Sequence, residues 1–189
     1  MTAEYDITVK WLSFPLHPQT PSEGVLFSDL YDPAALRAKL EPVYEYARRI
    51  GIPFAERKKR YNPRLAHELS RWVEEQREGM EFHQKVFQAY FVDQLNIAQI
   101  PVLAGIVESM GLPISEARDV LEKRAYRKQI DAEWNRAELM GISAVPSCIM
   151  GNRILVGAQP YGMLESFVKS CGAKQRRDRP AGGADSPLR

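Results

Sequence analysis

Apolar and polar residues alternate from Tyr5 to Leu12. Tyr5, Ile7, Val9 and Trp11 fall on one face, and Asp6, Thr8 and Lys10 on the other. A period of two is that of a strand with one face covered. Phe14-Pro15-Leu16-His17-Pro18 then makes a stiff, non-helical exit, and the loop runs on past Pro21 and Gly24. From Asp32 the apolar spacing lengthens to three and four. Asp32-Pro33 reads as a cap followed by a first-turn proline. Leu36, Leu40, Val43, Tyr44 and Ala47 form a helical stripe that ends near Gly51, with Pro42 inside it. An interior proline removes one backbone bond and clashes with the preceding turn, so a kink or two short helices are expected there.

Helical periodicity continues through the middle of the chain. Asn62-Pro63 repeats the cap-and-proline signature ahead of Leu65, Leu69, Trp72 and Val73. Gly79 separates that helix from one carrying Phe82, Val86, Phe87, Tyr90 and Phe91. An apolar face at these spacings is core packing. Further helices are expected over Pro101–Met110, over Glu116–Lys123 with Ser115 as its cap, and over Tyr126–Met140. Between the first two helical stripes lies the cluster Arg57-Lys58-Lys59-Arg60. It reads either as a solvated loop or as a patch for an anionic ligand.

The pattern changes again at Gly141, which ends a helix where φ must turn positive. Pro146 precedes a short apolar run, Ser147–Met150. Gly151-Asn152 supplies a two-residue turn, and Arg153–Val156 returns antiparallel. Gly157 breaks that strand and Pro160 starts a last helix. Residues 173–189 lack apolar content and are expected to form a disordered tail.

The chain has 189 residues and a net charge of +2. That length is normally one domain. The charge gives no argument for nucleic acid or a membrane surface, and no apolar run is long enough to span a bilayer. The N-terminus shows no basic stretch followed by an apolar one, so it does not read as a signal peptide. Two cysteines do not make a disulfide framework, so a reducing, cytoplasmic setting is expected.

The unit G-I-S-A-V-P, hairpin, V-G-A-Q-P, helix resembles the C-terminal half of a thioredoxin-like fold. With W-L-S-F-P-L-H-P at Trp11–Pro18, R-L-A-H-E-L at Arg64–Leu69 and Q-A-Y-F at Gln88–Phe91, it looks most like the DsbA family and its FrnE-like branch. The resemblance covers about residues 5 to 170. It implies an α/β fold: a partial thioredoxin-like sheet and last helix from residues 5–18 and 141–172, and a large helical insertion over 32–140. It also implies a cis-proline at Pro146, and a substrate-binding role for Ala144, Val145, Pro146 and His17, with an extended peptide or thiol as substrate. In the family the redox Cys-x-x-Cys lies on a first strand and helix ahead of the strand like Tyr5–Leu12. Neither that motif nor those elements have a counterpart here, so no catalytic residue is assigned.

In the family's sheet that first strand lies between the Tyr5–Leu12 equivalent and the strand after the cis-proline. Without it, buried unpaired backbone groups cost about 1–3 kcal/mol each. An N-terminally truncated sequence is therefore expected, or a sheet completed by a second chain or a second copy.

Cys148 and Cys171 read as small, partly buried hydrophobes rather than a disulfide or a nucleophile, since Cys148 lies on a strand with no helix terminus to favour its thiolate. His17, His67 and His83 show no metal-ligand spacing, and no metal or cofactor is expected. Three functions stay open: a thiol–disulfide oxidoreductase lacking its own dithiol, a redox-dead peptide-binding adaptor, and a glutathione-dependent isomerase or transferase of the same fold.

Overall fold

The computed structural model describes residues 1–14 and 16–176. They form two compact units, Pro15–Ala137 and a second made of Met1–Phe14 with Glu138 onward.

In the Pro15–Ala137 unit, strand β1 (Val25–Leu26) leads into a single-turn helix α1 (Phe27–Leu30). Helix α2 (Pro33–Arg49) follows, and Asp32 caps it by accepting from the N–H groups of Ala34 and Ala35. The expected break at Pro42 does not occur, and one helix runs through that position. Pro42 is exposed. The carbonyl it leaves without a helical partner can be hydrated, which lowers the cost of the lost bond.

Strand β2 (Lys59–Arg60) pairs antiparallel with β1, Val25 opposite Arg60 and Leu26 opposite Lys59. Helices α3 (Arg64–Glu75), α4 (Gly79–Phe91), α5 (Ile100–Ser109), α6 (Ile114–Glu122) and α7 (Arg127–Leu139) complete this part of the chain. Asn62 Oδ1 accepts from the Arg64 N–H at 2.9 Å, while its Nδ2 donates to the carbonyls of Pro18 and Thr20. The expected cap therefore forms and also pins the preceding loop. Gly79 begins α4 instead of separating two helices. A Cβ there would meet Glu74 Cγ at 2.7 Å, so glycine allows the close approach of the end of α3. Ser115 lies within the first turn of α6, and Pro113 occupies the cap position assigned to it by sequence.

Helix α3 packs against α4, α5 and α6. Leu69, Trp72, Val73, Phe82, Leu103, Val107, Ala117 and Leu121 are buried together. Each large side chain in such a cluster contributes roughly 1.5–3 kcal/mol by leaving water. The polar edge of the same helix is also buried. Glu68 is fully buried and takes hydrogen bonds from Arg64 (2.5 Å) and Arg124 (2.7 Å from each of two nitrogens). Arg71, 3% exposed, bridges Glu74 and Glu133. Burial pushes the Glu68 carboxyl up, but the hydrogen bonds from Arg124 and Arg64 outweigh it and hold the group below the usual carboxylate range. Beside this network His67 meets the Trp134 ring edge-on at 6.1 Å. Burial, then the charges of Arg71 and Arg64, push the imidazole down to about 4.

In the second unit, β3 (Ser147–Met150) and β4 (Arg153–Val156) form an antiparallel hairpin, followed by α8 (Tyr161–Ser170). The strand expected over Tyr5–Leu12 is absent. Tyr5 makes one isolated antiparallel bridge, to Gln175, and residues 6–14 pair with no strand. A period-two pattern becomes a strand only when a neighbour takes its backbone bonds along its length, and the described segment after α8 meets only its first residues. Val9 and Trp11 are accordingly exposed, at 55% and 51%.

The first residues instead pair with the segment after α8. The Asp6 N–H donates to the Lys174 carbonyl at 2.8 Å, and the Arg176 N–H to the Glu4 carbonyl at 2.7 Å. The expected tail at 173–189 is thus corrected in its first positions, since Lys174–Arg176 take part in backbone pairing. The rest of it lies outside the described residues.

Candidate functional site

The loop from α7 to β3 holds three of the four residues singled out for substrate binding. Gly141 turns the chain at φ 67°, and its N–H closes the helix onto the Glu138 carbonyl at 2.9 Å. Ala144 is half-buried, whereas Val145 and Pro146 are exposed. The Val145–Pro146 peptide bond is cis.

Two hydrogen bonds hold the loop to the hairpin. Ser147 Oγ donates to the Ala144 carbonyl at 2.7 Å, and the Gly157 N–H donates to the Pro146 carbonyl at 2.7 Å. The hairpin register, Ser147 opposite Val156 through Met150 opposite Arg153, fixes both donors. Between these two anchored carbonyls stands Val145. The residue is 47% exposed, and among the described residues its N–H and C=O make no hydrogen bond. The loop therefore presents one free donor and one free acceptor on an anchored backbone.

Ser147 was not foreseen as part of this arrangement. Its signal was local: a hydroxyl three positions after a carbonyl, the spacing at which serine closes a turn.

His17, the fourth residue, belongs to the Pro15–Ala137 unit and is half-buried. Burial and then the positive charges of Arg60 and Lys39 lower its imidazole from the usual range.

The two cysteines are free. Cys148 is exposed on β3, and the Cys171 Sγ lies 3.8 Å from the Met150 carbonyl. Among the described residues no group of three His, Cys, Asp or Glu side chains is placed to hold a metal ion. No described helix is long and apolar enough to cross a membrane.

Comparison with known proteins bears on the family and the fold. The family model described as "DSBA-like thioredoxin domain" matches residues 1–169. The uncharacterized protein YwbO of Bacillus subtilis (strain 168) is 28% identical over 166 residues, which are 86% of this chain and 82% of YwbO. Among solved structures, the probable DsbA oxidoreductase SCO1869 from Streptomyces coelicolor superposes with a TM-score of 0.75 at 17% identity. The match covers 92% of this chain and 75% of that one. A 2-hydroxychromene-2-carboxylate isomerase superposes with a TM-score of 0.62 at 20% identity, over 74% of this chain and 70% of its own. These two likenesses concern the fold.

Proposed function

The chain belongs to the DSBA-like thioredoxin domain family, and from that premise we propose that it serves thiol–disulfide chemistry by holding an extended peptide or thiol substrate along Ala144–Pro146, as a member of the FrnE-like branch. The observation that carries this reading is that the exposed residue Val145 leaves its backbone N–H and C=O without a hydrogen bond among the described residues. An extended substrate residue laid antiparallel beside it exchanges two hydrogen bonds, N–H to C=O in each direction. The bonds from Ser147 and Gly157 hold the flanking carbonyls, so little ordering of the loop is needed when substrate binds.

The 189 residues contain no Cys-x-x-Cys. Thiol–disulfide exchange on a bound substrate therefore uses a dithiol from outside them. When a substrate disulfide forms, that partner enters as its disulfide: one substrate thiolate attacks it to form a mixed disulfide, the second substrate thiolate releases it, and the partner leaves as the dithiol with the two electrons and two protons. Cys148 and Cys171 are given no part in this. Few cysteines and no disulfide favour a reducing, cytoplasmic setting. The outer edges of the β3–β4 hairpin pair with no described strand, which favours completion of the sheet by a further segment or a second copy.

The lack of a dithiol favours a second reading, an adaptor that binds extended peptides and does no redox work.

The test is amide hydrogen exchange on the full chain with a reduced, unstructured cysteine-containing peptide. Slowed exchange at Val145 is expected, and Val145→Pro, which removes the N–H donor, weakens peptide binding. Exchange that stays unchanged at Val145 sinks the peptide-groove reading. Protection by glutathione but not by peptide replaces it with the glutathione-dependent one. Catalysed oxidation of a two-cysteine peptide by an added partner in its disulfide form separates the oxidoreductase from the adaptor.

A further inference from the structure

The basic cluster at 57–60 does not form a simple solvated loop. The Arg57 guanidinium carbon stands 4.7 Å from the ring centroids of both Tyr90 and Phe91, 5.5 Å from Phe27 and 5.8 Å from Phe54. Four aromatic rings from three places in the chain thus surround one cation. Its Nε is buried and has no hydrogen-bond partner. Among the described residues, no carboxylate forms an ion pair with Arg57, Lys58, Lys59 or Arg60. Elsewhere in this unit the half-buried Arg64 and the buried Arg71 are each matched by carboxylates. The contrast marks 57–60 as a run of four adjacent cations without a carboxylate partner among the described residues.

That charge borders a cavity of about 270 Å³, whose wall includes Arg57, Lys58, Lys59, Tyr61, Tyr90 and Gln94. Tyr61 and Tyr90 stand edge to face, 6.3 Å between centroids. The position of Tyr61 depends on Gly24, where φ is +80° and a Cβ would lie 2.4 Å from the Tyr61 ring. The wall thus combines three cations with two phenol rings. The volume lies just below the roughly 300–1,000 Å³ of sites for drug-sized ligands. It suits a single ring with one charged substituent.

We infer that this cavity binds a small aromatic oxyanion, an aryl carboxylate or aryl phosphate, its ring against Tyr61 and Tyr90 and its oxygens toward Arg57, Lys58 and Lys59. A guanidinium already held by surrounding rings offers its remaining donors with little loss of side-chain freedom, and its fork matches either oxyanion. The two lysines add charge without having to be buried.

Calorimetric titration of the full chain with benzoate, phenyl phosphate, inorganic phosphate and benzyl alcohol tests this. One saturable site is expected for benzoate or phenyl phosphate, and whichever binds names the oxyanion. Benzyl alcohol is expected not to bind, and inorganic phosphate to bind at least about tenfold more weakly than the aryl anion. Binding should weaken by about tenfold or more in the double variant Lys58→Gln/Lys59→Gln, whose side chains are not in the core, and should fall with added salt. Arg57→Gln is expected to abolish binding. If it fails to fold, the lysine double variant decides. No saturable binding of either aryl anion, wild-type affinity in the double variant, or equal binding of inorganic phosphate overturns the inference.

Discussion

The Tyr5 hydroxyl donates to Glu165 Oε1 at 2.5 Å, joining residues 160 positions apart. The Tyr5 side chain is otherwise the most completely buried in its unit, 1% exposed, and Lys169 both pairs with Glu165 at 2.8 Å and lies 5.8 Å from the Tyr5 ring. The bond to Glu165 raises the phenol, and hydrogen bonds from Lys169 and then Tyr5 lower the Glu165 carboxyl.

Tyr5→Phe keeps the packing and removes the donor. The expected result is faster amide exchange at Asp6 and Arg176, whose N–H groups are paired beside Tyr5, with exchange in α3 and α5 unchanged. Equal acceleration throughout the chain would show that the bond governs global stability instead.

His67 makes stability depend on pH in a definite direction. Its folded imidazole is pushed down from 6.5 to about 4, so the unfolded chain takes the proton first. Its contribution is fully present above pH 6.5 and is lost as pH falls toward 4, approaching about 3 kcal/mol there. In denaturant titrations between those pH values, His67→Gln should show a shallower acid-side slope than the parent. An identical slope would mean that His67 is not the group responsible.

Glu68 is the fully buried carboxylate of the Arg64–Arg124 network. Glu68→Ala leaves two guanidinium groups without their shared partner and is expected to cost about 3 kcal/mol. That is the lower end of the range for a broken buried pair, because the Arg124 side chain stays 39% exposed and can be hydrated. Equilibrium unfolding in urea gives the number, and a loss below about 1 kcal/mol would place this pair with ordinary surface ion pairs.

Ser147→Ala removes the bond to the Ala144 carbonyl. At a net worth of about 1 kcal/mol, peptide affinity at the loop should drop roughly fivefold while the unfolding midpoint moves little. A drop in stability with no change in affinity would assign Ser147 to the hairpin alone.

Local signals were the legible part of the fold. Asp32-Pro33 marked the start of α2, and Gly151-Asn152 marked the hairpin whose strands run over Ser147–Met150 and Arg153–Val156, as the apolar runs suggested. The loop at Ala144–Pro146 was legible for the same reason, since glycine, proline and a hairpin bound it on either side. What escaped the reading depends on pairing across sequence distance. Two-residue strands at Val25–Leu26 and Lys59–Arg60 exist only through each other. Tyr5–Leu12 carries the pattern of a strand, but the described segment after α8 meets only its first residues. The charges of α3 look solvated in one dimension, yet Glu68 and Arg71 are buried because α6 and α7, and the turn at Arg124, bring their partners to them. Likewise Arg57 looked like part of a basic loop until Phe27, Phe54, Tyr90 and Phe91 closed around it.

The unit containing Tyr5 and Glu165 is discontinuous, whereas Pro15–Ala137 is one unbroken stretch. Synthesis from the N-terminus therefore imposes a timetable. The helical stretch has all of its own core once Ala137 has left the ribosome, but Tyr5 must wait for Glu165, and Asp6 for Lys174. Domains fold as units while the chain grows at about 5–20 residues per second. A nascent chain arrested with Ala137 just outside the ribosome should protect the amides of Leu69–Val73 and leave those of residues 4–6 open, an arm held in wait for Glu165 and Lys174.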